Sequence, residues 1–282
     1  MTNRRRFPAG VAIALIVATT LLAPARTTLA VPLISARSAI VLDGWSGQTL
    51  YSLNAGMERA PASTVKIMTA LVILRRHMPF GREVTVSPYA ASYLGSTAGL
   101  YAGERLTVRD LMYGMLLPSG NDAAVALSET LAPTVSQFAT LMNAEARRLG
   151  MWHTRYLTPN GFDTLGQVTT ARDLAHLART AMRWGRFRHI VDTRVYQVRA
   201  RNGAVIHIWT NLNHLLWRGH GIDGVKTGTT IAAGACLVSS LRSRGRWIIE
   251  VNLGSLESRR FSDGLSLLDY GFARASSIPT SR

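Results

Sequence analysis

The order in which strand and helix patterns follow one another is the strongest constraint on the fold of this 282-residue chain. Two apolar, β-branched runs at 36–43 and 48–54 flank the turn Gly44-Trp45-Ser46-Gly47, and paired strand patterns return only from residue 195. Helical periodicity fills most of the interval, and a final amphipathic helix covers 258–274. Separated strand blocks of this kind predict one α/β (α+β) sheet domain that carries a helical insertion.

Capping and turn residues set the predicted boundaries within this order. Pro61 suits the first turn of a helix over 63–76, and Thr107 with Asp110 predicts a capping box before the next helix. Gly150 occupies the C′ position of a helix over 135–149. The other predicted elements are a strand at 84–87, helices at 111–117, 122–131 and 170–185, a hairpin of strands at 195–200 and 205–209, and strands at 221–230, 234–241 and 247–253.

The first thirty residues have the pattern of an export signal. A basic segment at 4–6 precedes an apolar segment at 11–22, which is shorter than the roughly 20 residues of a membrane-spanning helix. Small residues predict cleavage after Ala30 or, as a second candidate, after Ala25. We therefore expect a signal peptide at 1–30, a catalytic domain at 31–275, a short tail at 276–282, and export to the periplasm or another extracytoplasmic space.

Net charge is strongly positive, at +16, and removal of Arg4, Arg5, Arg6 and Arg26 with the signal leaves +12. A basic cytosolic protein would suggest nucleic acid as a partner, but export argues against it. Anionic polymers of the envelope or membrane surfaces are the expected partners instead. The single cysteine, Cys236, excludes an internal disulfide framework.

Ser63 and Lys66 are three residues apart at the start of a predicted helix, and this spacing places both side chains on one face. An S-x-x-K pair alone is more often a solvated Ser and Lys on an ordinary helix. Of the 32 Lys and Arg residues, however, only Lys66 and Lys226 are lysine, which leaves thirty arginines. Because only lysine can lose its proton near neutral pH, two retained lysines indicate positions where a guanidinium would not serve.

Two more polar patches interrupt the apolar patterns. Ser119-Gly120-Asn121 breaks a helix, and Lys226-Thr227-Gly228 is at the edge of a strand. Each patch alone is by default a turn or a strand end. Their ordered occurrence with S-x-x-K is typical of penicillin-binding proteins and class A β-lactamases.

Longer stretches, at 36–43, 62–70, 116–124, 223–228 and 267–272, resemble the serine D-Ala-D-Ala carboxypeptidases, the low-molecular-mass penicillin-binding proteins. The resemblance covers 34–274. It implies the serine β-lactamase/penicillin-binding-protein-like fold, a mainly antiparallel sheet flanked by helices with a helical subdomain. It implies no metal and no cofactor.

The resemblance also implies roles for eight residues. Ser63 is expected to attack the carbonyl between the two terminal D-alanines of a peptidoglycan stem peptide, with Lys66 as general base and Ser119 as proton relay. Asn121 would orient Lys66 and the substrate, and the terminal carboxylate would face Lys226-Thr227-Gly228. The expected oxyanion hole is formed by the N–H groups of Ser63 and Thr229. β-Lactams would acylate Ser63 by the same path, and the reaction would stall at the acyl-enzyme.

Two departures from many relatives follow from the sequence. The chain ends about ten residues beyond Tyr270-Gly271-Phe272. We therefore expect neither a second β-domain nor a C-terminal membrane helix. The loop at 158–168 is short, which leaves the preferred length of the substrate open.

Four other functions are less favoured. A class A β-lactamase would need a carboxylate in an E-x-x-L-N setting, and the sequence between Asn121 and Lys226 has none. A metallopeptidase is disfavoured because the seven histidines form no H-E-x-x-H cluster. A D,D-endopeptidase that cleaves cross-links stays open because its chemistry is identical. A non-catalytic cell-wall binder would have no need of a lysine with a lowered pKa.

Overall fold

The computed structural model describes residues 29–203 and 205–276. The strands are β1 (Ser38–Asp43), β2 (Thr49–Leu53), β3 (Glu83–Thr85), β4 (Arg105–Thr107), β5 (Val195–Arg199), β6 (Ile206–Thr210), β7 (Ile222–Thr230), β8 (Gly234–Ser243) and β9 (Arg246–Ser255). The α-helices are α1 (Lys66–Arg75), α2 (Pro88–Ala91), α3 (Val108–Leu116), α4 (Asn121–Glu129), α5 (Val135–Arg148), α6 (Ala171–Ala181), α7 (Gly185–Asp192) and α8 (Arg260–Ser276). The predicted signal peptide, apart from residues 29 and 30, and most of the predicted tail lie outside the described residues.

The two strand blocks of the sequence join in one antiparallel sheet with the order β2-β1-β9-β8-β7. The joint is the pair β1–β9, in which Val41 is opposite Glu250. Side chains of β1 alternate between the faces of the sheet because successive residues of a strand point to opposite sides. Ile40 and Leu42 accordingly belong to one core cluster, and Ala39 and Val41 to the other. The predicted fold class is confirmed.

Helices cover both faces of this sheet. On one side α8 contributes Leu267 and Leu268 to the smaller core cluster. On the other side lies the helical region, whose central helix α1 is buried from Lys66 to Leu74. A helix that is apolar on every side belongs inside a core rather than on a surface. The chain therefore holds its first helix, and the residues just before it, between the sheet and the remaining helices.

The capping predictions agree with the structure. The Asp110 N–H donates to Thr107 Oγ1 at 3.2 Å, and the Thr107 N–H donates to Asp110 Oδ2 at 3.0 Å. Leu149 ends α5, and Gly150 follows with a φ of +73°. Positive φ at the residue after a helix favours glycine, which has no Cβ to clash.

Several boundaries differ from the predictions. The first turn of the expected helix at 63–76 is a 3-10 turn, Ala62–Val65, and the α-helix begins at Lys66. The helix from 170 ends at Ala181, and a separate helix, α7, starts at Gly185. Glycine is common after helices, which places the predicted end of this helix at Gly185, yet in the structure Gly185 opens the next helix. The predicted strand at 84–87 is observed at 83–85, paired with the unpredicted β4.

No helix within the described ranges is both long and apolar enough to cross a membrane. Within the same ranges no group of three or more His, Cys, Asp or Glu side chains is placed to hold a metal ion.

Candidate active site

Ser63 lies in the 3-10 turn between Pro61 and α1, with its side chain directed at the helical region. The carbonyl of Pro61 accepts hydrogen bonds from Thr64 N at 3.3 Å and Thr64 Oγ1 at 2.7 Å, which closes the turn. Ala62 has a φ of +49°, a conformation that costs a non-glycine residue about 1–3 kcal/mol. The surrounding core therefore holds Ser63 in a turn that the isolated sequence would not favour.

Lys66 is the centre of the polar network. Its Nζ donates to Ser63 Oγ, Asn121 Oδ1 and the carbonyl oxygen of Asn160, each at 2.8 Å, and lies 3.4 Å from Ser119 Oγ. The side chain is fully buried. A buried amine needs partners for its N–H groups, and here every partner is an oxygen of the candidate site.

The pKa of Lys66 is lowered well below its usual value. Burial is the main cause, the positive charge of Lys226 is the next, and Asp122 partly opposes both. Burial and the nearby charge of Arg260 lower the pKa of Lys226 to about 7. Burial and a nearby positive charge both disfavour the charged ammonium, so each of these lysines loses its proton more readily than a solvated lysine does.

The turn between α3 and α4 carries Ser119 and Asn121. Ser119 is buried with a φ of +66°, in the left-handed region that few non-glycine residues adopt. Asn121 opens α4, and its Nδ2 donates to the Leu94 carbonyl at 2.8 Å. Its Oδ1 must then face Lys66, which fixes the orientation of the side-chain amide.

Strand β7 forms the opposite wall and brings Lys226, Thr227, Gly228 and Thr229 to the nucleophile. A Cβ added at Gly228 would lie 2.9 Å from Ser63 N, so glycine permits the close approach of strand and turn. Lys226 Nζ donates to the carbonyl of its neighbour Thr227 at 2.9 Å. All eight predicted site residues are thus brought together.

An open cavity of about 160 Å³ lies above this network. Ser63, Ser119, Thr227, Gly228 and Thr229 line it, together with Ser96, Leu212, His214, Arg260 and Phe261. The two lysines lie beneath, where a substrate would not reach most of their surface. The imidazole of His214 stacks on Phe261, with ring centres 4.9 Å apart, and forms part of the rim.

The sequence interpretation missed two residues of the site. The Asn160 carbonyl accepts from Lys66, and Arg260 Nη1 donates to Thr229 Oγ1 at 2.6 Å and to the Gly228 carbonyl at 3.2 Å. Pro159 and Gly161 flank Asn160 in the sequence, and these two turn-forming residues could have drawn attention to the loop. Arg260 gave no signal, because it is one of thirty arginines.

Comparison with known proteins gives a consistent result. Residues 25–256 match the D-alanyl-D-alanine carboxypeptidase family. The D-alanyl-D-alanine carboxypeptidase of Streptomyces sp. (strain K15) is 35% identical over 276 residues, which cover 92% of this chain and 95% of the relative. The enzyme DacC of Escherichia coli (strain K12) is 34% identical over 261 residues, or 88% of this chain and 64% of the relative. The chain thus spans slightly less than two thirds of that longer relative.

The solved structures agree in fold. The crystal structure of the Streptomyces K15 DD-transpeptidase has a TM-score of 0.84 at 34% identity, covering 87% of this chain and all of that one. The resemblance that the motifs indicated is confirmed in sequence and in fold. The chain belongs to the D-alanyl-D-alanine carboxypeptidase family of serine peptidases.

Proposed function

We propose that the chain is an exported serine D,D-carboxypeptidase that removes the terminal D-alanine from peptidoglycan pentapeptide stems. The observation that carries this proposal is the contact of Lys66 Nζ with Ser63 Oγ at 2.8 Å, in a network where no carboxylate among the described residues forms a hydrogen bond with the amine. A lysine next to a nucleophilic hydroxyl is a base only if it can lose its proton, and the lowered pKa of Lys66 supplies that condition.

The partners of Lys66 also direct its lone pair. A neutral amine has two N–H groups, and the oxygens of Asn121 Oδ1 and the Asn160 carbonyl can only accept. When each takes one N–H, the remaining lone pair points toward Ser63 Oγ. The network therefore favours a Lys66 amine that is oriented to accept the serine proton.

Acylation then transfers the stem peptide to Ser63 and releases the terminal D-alanine. Ser63 Oγ forms a bond to the carbonyl carbon between the two D-alanines, and its proton moves to Lys66. The oxyanion lies between the N–H groups of Ser63 and Thr229. Ser119 passes the proton from Lys66 to the amine of the leaving D-alanine as the C–N bond breaks. Water then hydrolyses the ester and restores Ser63.

Residues of β7 and α8 recognise the substrate carboxylate. Thr227 and Thr229 offer hydroxyl groups on the cavity wall, and Arg260 and Lys226 supply positive charge beside them. An arriving carboxylate would raise the pKa of Lys226 and hold it charged, because an opposite charge favours the ammonium. A β-lactam has the same carboxylate and an acyl group next to it, and we expect it to acylate Ser63.

Export and envelope partners are part of the same proposal. The basic and apolar segments at 4–6 and 11–22 support export, and the substrate lies outside the cytoplasmic membrane. The net charge of +12 that remains once the signal is removed supports contact with anionic envelope polymers after export.

Fluorescent penicillin labelling tests the proposal, with Ser63→Ala as the matched control. We expect a covalent adduct on the wild-type chain and none on the variant, and absence of labelling would overturn the acyl-enzyme. Incubation with pentapeptide muropeptides should yield products lighter by one alanine. Cross-linked dimers in a parallel reaction separate this activity from that of a D,D-endopeptidase, which would cleave the dimers and leave the pentapeptides intact.

A further inference from the structure

A second cavity, of about 300 Å³, lies in the helical region at the end of α5. Its lining residues are Asn143, Arg147, Met151, Trp152, Thr154 and Arg155. None of them belongs to the candidate active site. A volume near 300 Å³ is in the range of pockets that hold small organic groups.

The floor of this cavity is fixed by partly buried hydrogen bonds. The Asn143 side-chain amide bridges Tyr156, donating to its carbonyl at 2.7 Å and accepting from its N–H at 2.8 Å. Thr154 Oγ1 donates to Asp173 Oδ2 at 2.7 Å, and this carboxylate also accepts from His153 N. The polar groups of the floor are therefore satisfied within the protein and do not need a ligand.

The rim of this cavity differs from its floor. Trp152 is 72% exposed, an unusual condition for the largest side chain in proteins. Arg147 and Arg155 are exposed as well, and neither guanidinium has a carboxylate or other hydrogen-bond acceptor among the described residues. The neighbouring Arg148, in contrast, is paired with Glu145 at 2.7 Å. The rim thus offers two unpaired guanidinium groups beside one exposed indole.

We propose that this cavity binds an anionic saccharide, with a carboxylate held by Arg147 and Arg155 and a sugar ring packed on Trp152. A planar guanidinium matches a carboxylate with two parallel hydrogen bonds, which a solvated lysine cannot do. A broad indole offers an apolar face that suits the C–H side of a pyranose ring, and its N–H can still reach a hydroxyl. The site selects for a ligand that carries both features.

The cavity is close along the chain to the candidate active site, which suggests a role for binding there. Arg155 precedes Asn160 by five residues, so their Cα atoms are at most about 18 Å apart even in a fully extended chain. The Asn160 carbonyl contacts Lys66 Nζ. A pentapeptide extends to a similar length, so a glycan strand held at the cavity through the free lactyl carboxylate of one muramic acid could present the stem peptide of a neighbouring muramic acid near Ser63. Such tethering raises the effective concentration of the substrate without any new contact at the active site. This consequence rests on the proposed function, whereas the binding itself does not.

Calorimetric titration of the full chain tests the binding. The probe is a peptide-free glycan strand of alternating N-acetylglucosamine and N-acetylmuramic acid, whose lactyl groups carry free carboxylates. A neutral chitooligosaccharide and a polyglycerol phosphate serve as comparison ligands. The variants are Trp152→Ala and the double variant Arg147→Gln/Arg155→Gln. Arg76→Gln/Arg183→Gln is the matched control, because it removes the same two charges from exposed positions elsewhere.

We expect the glycan Kd to rise about tenfold or more in the double Arg variant, because both charge-assisted contacts to the carboxylate are lost. Trp152→Ala should weaken binding as well, and the control should leave the Kd unchanged. Equal weakening in the control, or equal affinity for the neutral chitooligosaccharide, would overturn the site. Tighter binding of the polyglycerol phosphate than of the glycan would overturn the assignment to a sugar carboxylate.

Penicillin labelling of the same variants separates this proposal from the proposed function. Labelling of Ser63 should be unaffected by all of these substitutions, which also shows that the variants are folded. Loss of glycan binding with intact labelling supports the site. Failure of labelling in the wild-type chain would overturn the catalytic proposal and leave the binding result standing.

Discussion

Lys66 Nζ lies 2.8 Å from the main-chain carbonyl oxygen of Asn160, a residue 94 positions further along the chain. A main-chain carbonyl cannot be removed by a side-chain substitution, and it accepts hydrogen bonds in every protonation state of the site. The loop at 158–168 therefore helps to position the amine of α1. Thr69 Oγ1 strengthens this connection by donating to the Pro159 carbonyl at 2.6 Å.

The first prediction concerns the base. Lys66→Arg keeps the positive charge, but a guanidinium cannot lose its proton near neutral pH. We expect the rate of acylation by penicillin to fall about 10³-fold, which is within the usual contribution of a general base. Mass spectrometry of the acylated chain over time measures the rate. The opposite exchange at an exposed position, Arg76→Lys, should change nothing, and wild-type rates in Lys66→Arg would show that another group is the base.

The second prediction concerns the pH profile. Asn121→Asp would put a carboxylate where Oδ1 accepts from Lys66 at 2.8 Å. A negative charge this close favours the ammonium and raises the pKa of Lys66. Because the neutral amine is the active form, the acid limb of kcat/KM should move to higher pH. Rates measured between pH 6 and pH 10 report this shift.

Asn54→Asp is the control for this experiment. Asn54 Nδ2 also donates to a main-chain carbonyl, that of Arg37, but it lies in the turn after β2, away from Lys66. Its pH profile should match the wild type. A profile for Asn121→Asp that keeps its acid limb at the wild-type pH would contradict the assignment of that limb to Lys66.

The third prediction concerns the close approach of β7 to the nucleophile. In Gly228→Ala the new Cβ would lie 2.9 Å from Ser63 N and 3.0 Å from Ala62 Cβ, so the turn must move. Displacement of reacting atoms by about 1 Å can cost on the order of 10²-fold in rate, and we expect a loss of 10-fold to 100-fold in acylation. Gly56→Ala introduces a Cβ with no atom within 4 Å and is the control. An unchanged acylation rate in Gly228→Ala would contradict this picture of the site.

Much of the fold was predictable because its boundaries depend on local chemistry. The capping box at Thr107 and Asp110, the glycine at 150 and the turn at 44–47 act within a few residues, and all three are present in the structure. The pairing of β1 with β9 was not derivable in register, because it joins segments about 200 residues apart. The 3-10 turn at Ser63 was also missed, since its left-handed Ala62 is imposed by packing and no local signal marks it.

The candidate site divides in the same way. Ser63, Lys66, Ser119, Asn121 and Lys226 stand out because a polar residue that interrupts an apolar pattern is conspicuous in sequence. Asn160 acts through its main-chain carbonyl, a group that every residue has, so its residue type does not indicate this role. Arg260 acts through its place on α8 beside β7, and nothing distinguishes it in composition from the other arginines. Groups that work by position alone need the three-dimensional structure.

The last prediction concerns a buried carboxyl group outside the active site. Glu250 is on β9 and faces α8, with Asn252 Nδ2 donating to its Oε2 at 3.2 Å. Burial, and then the charge of Asp263, raise its pKa to about 8 from the usual 4.5. The folded chain thus binds a proton that the unfolded chain releases above pH 4.5. This stabilisation is complete below pH 4.5 and is lost as the pH rises through 8.

The side chain in Glu250→Gln cannot ionise, so the variant should not lose this stability as the pH rises. The free energy of unfolding of the variant relative to wild type should rise between pH 4.5 and pH 8, by at most about 5 kcal/mol at 1.36 kcal/mol per pKa unit. Denaturant unfolding at pH 5, 7 and 9 measures the difference. Glu58→Gln, at a half-exposed carboxylate, is the control for the substitution itself. A flat difference for Glu250→Gln would mean that its carboxyl group ionises in the folded chain as readily as in the unfolded one.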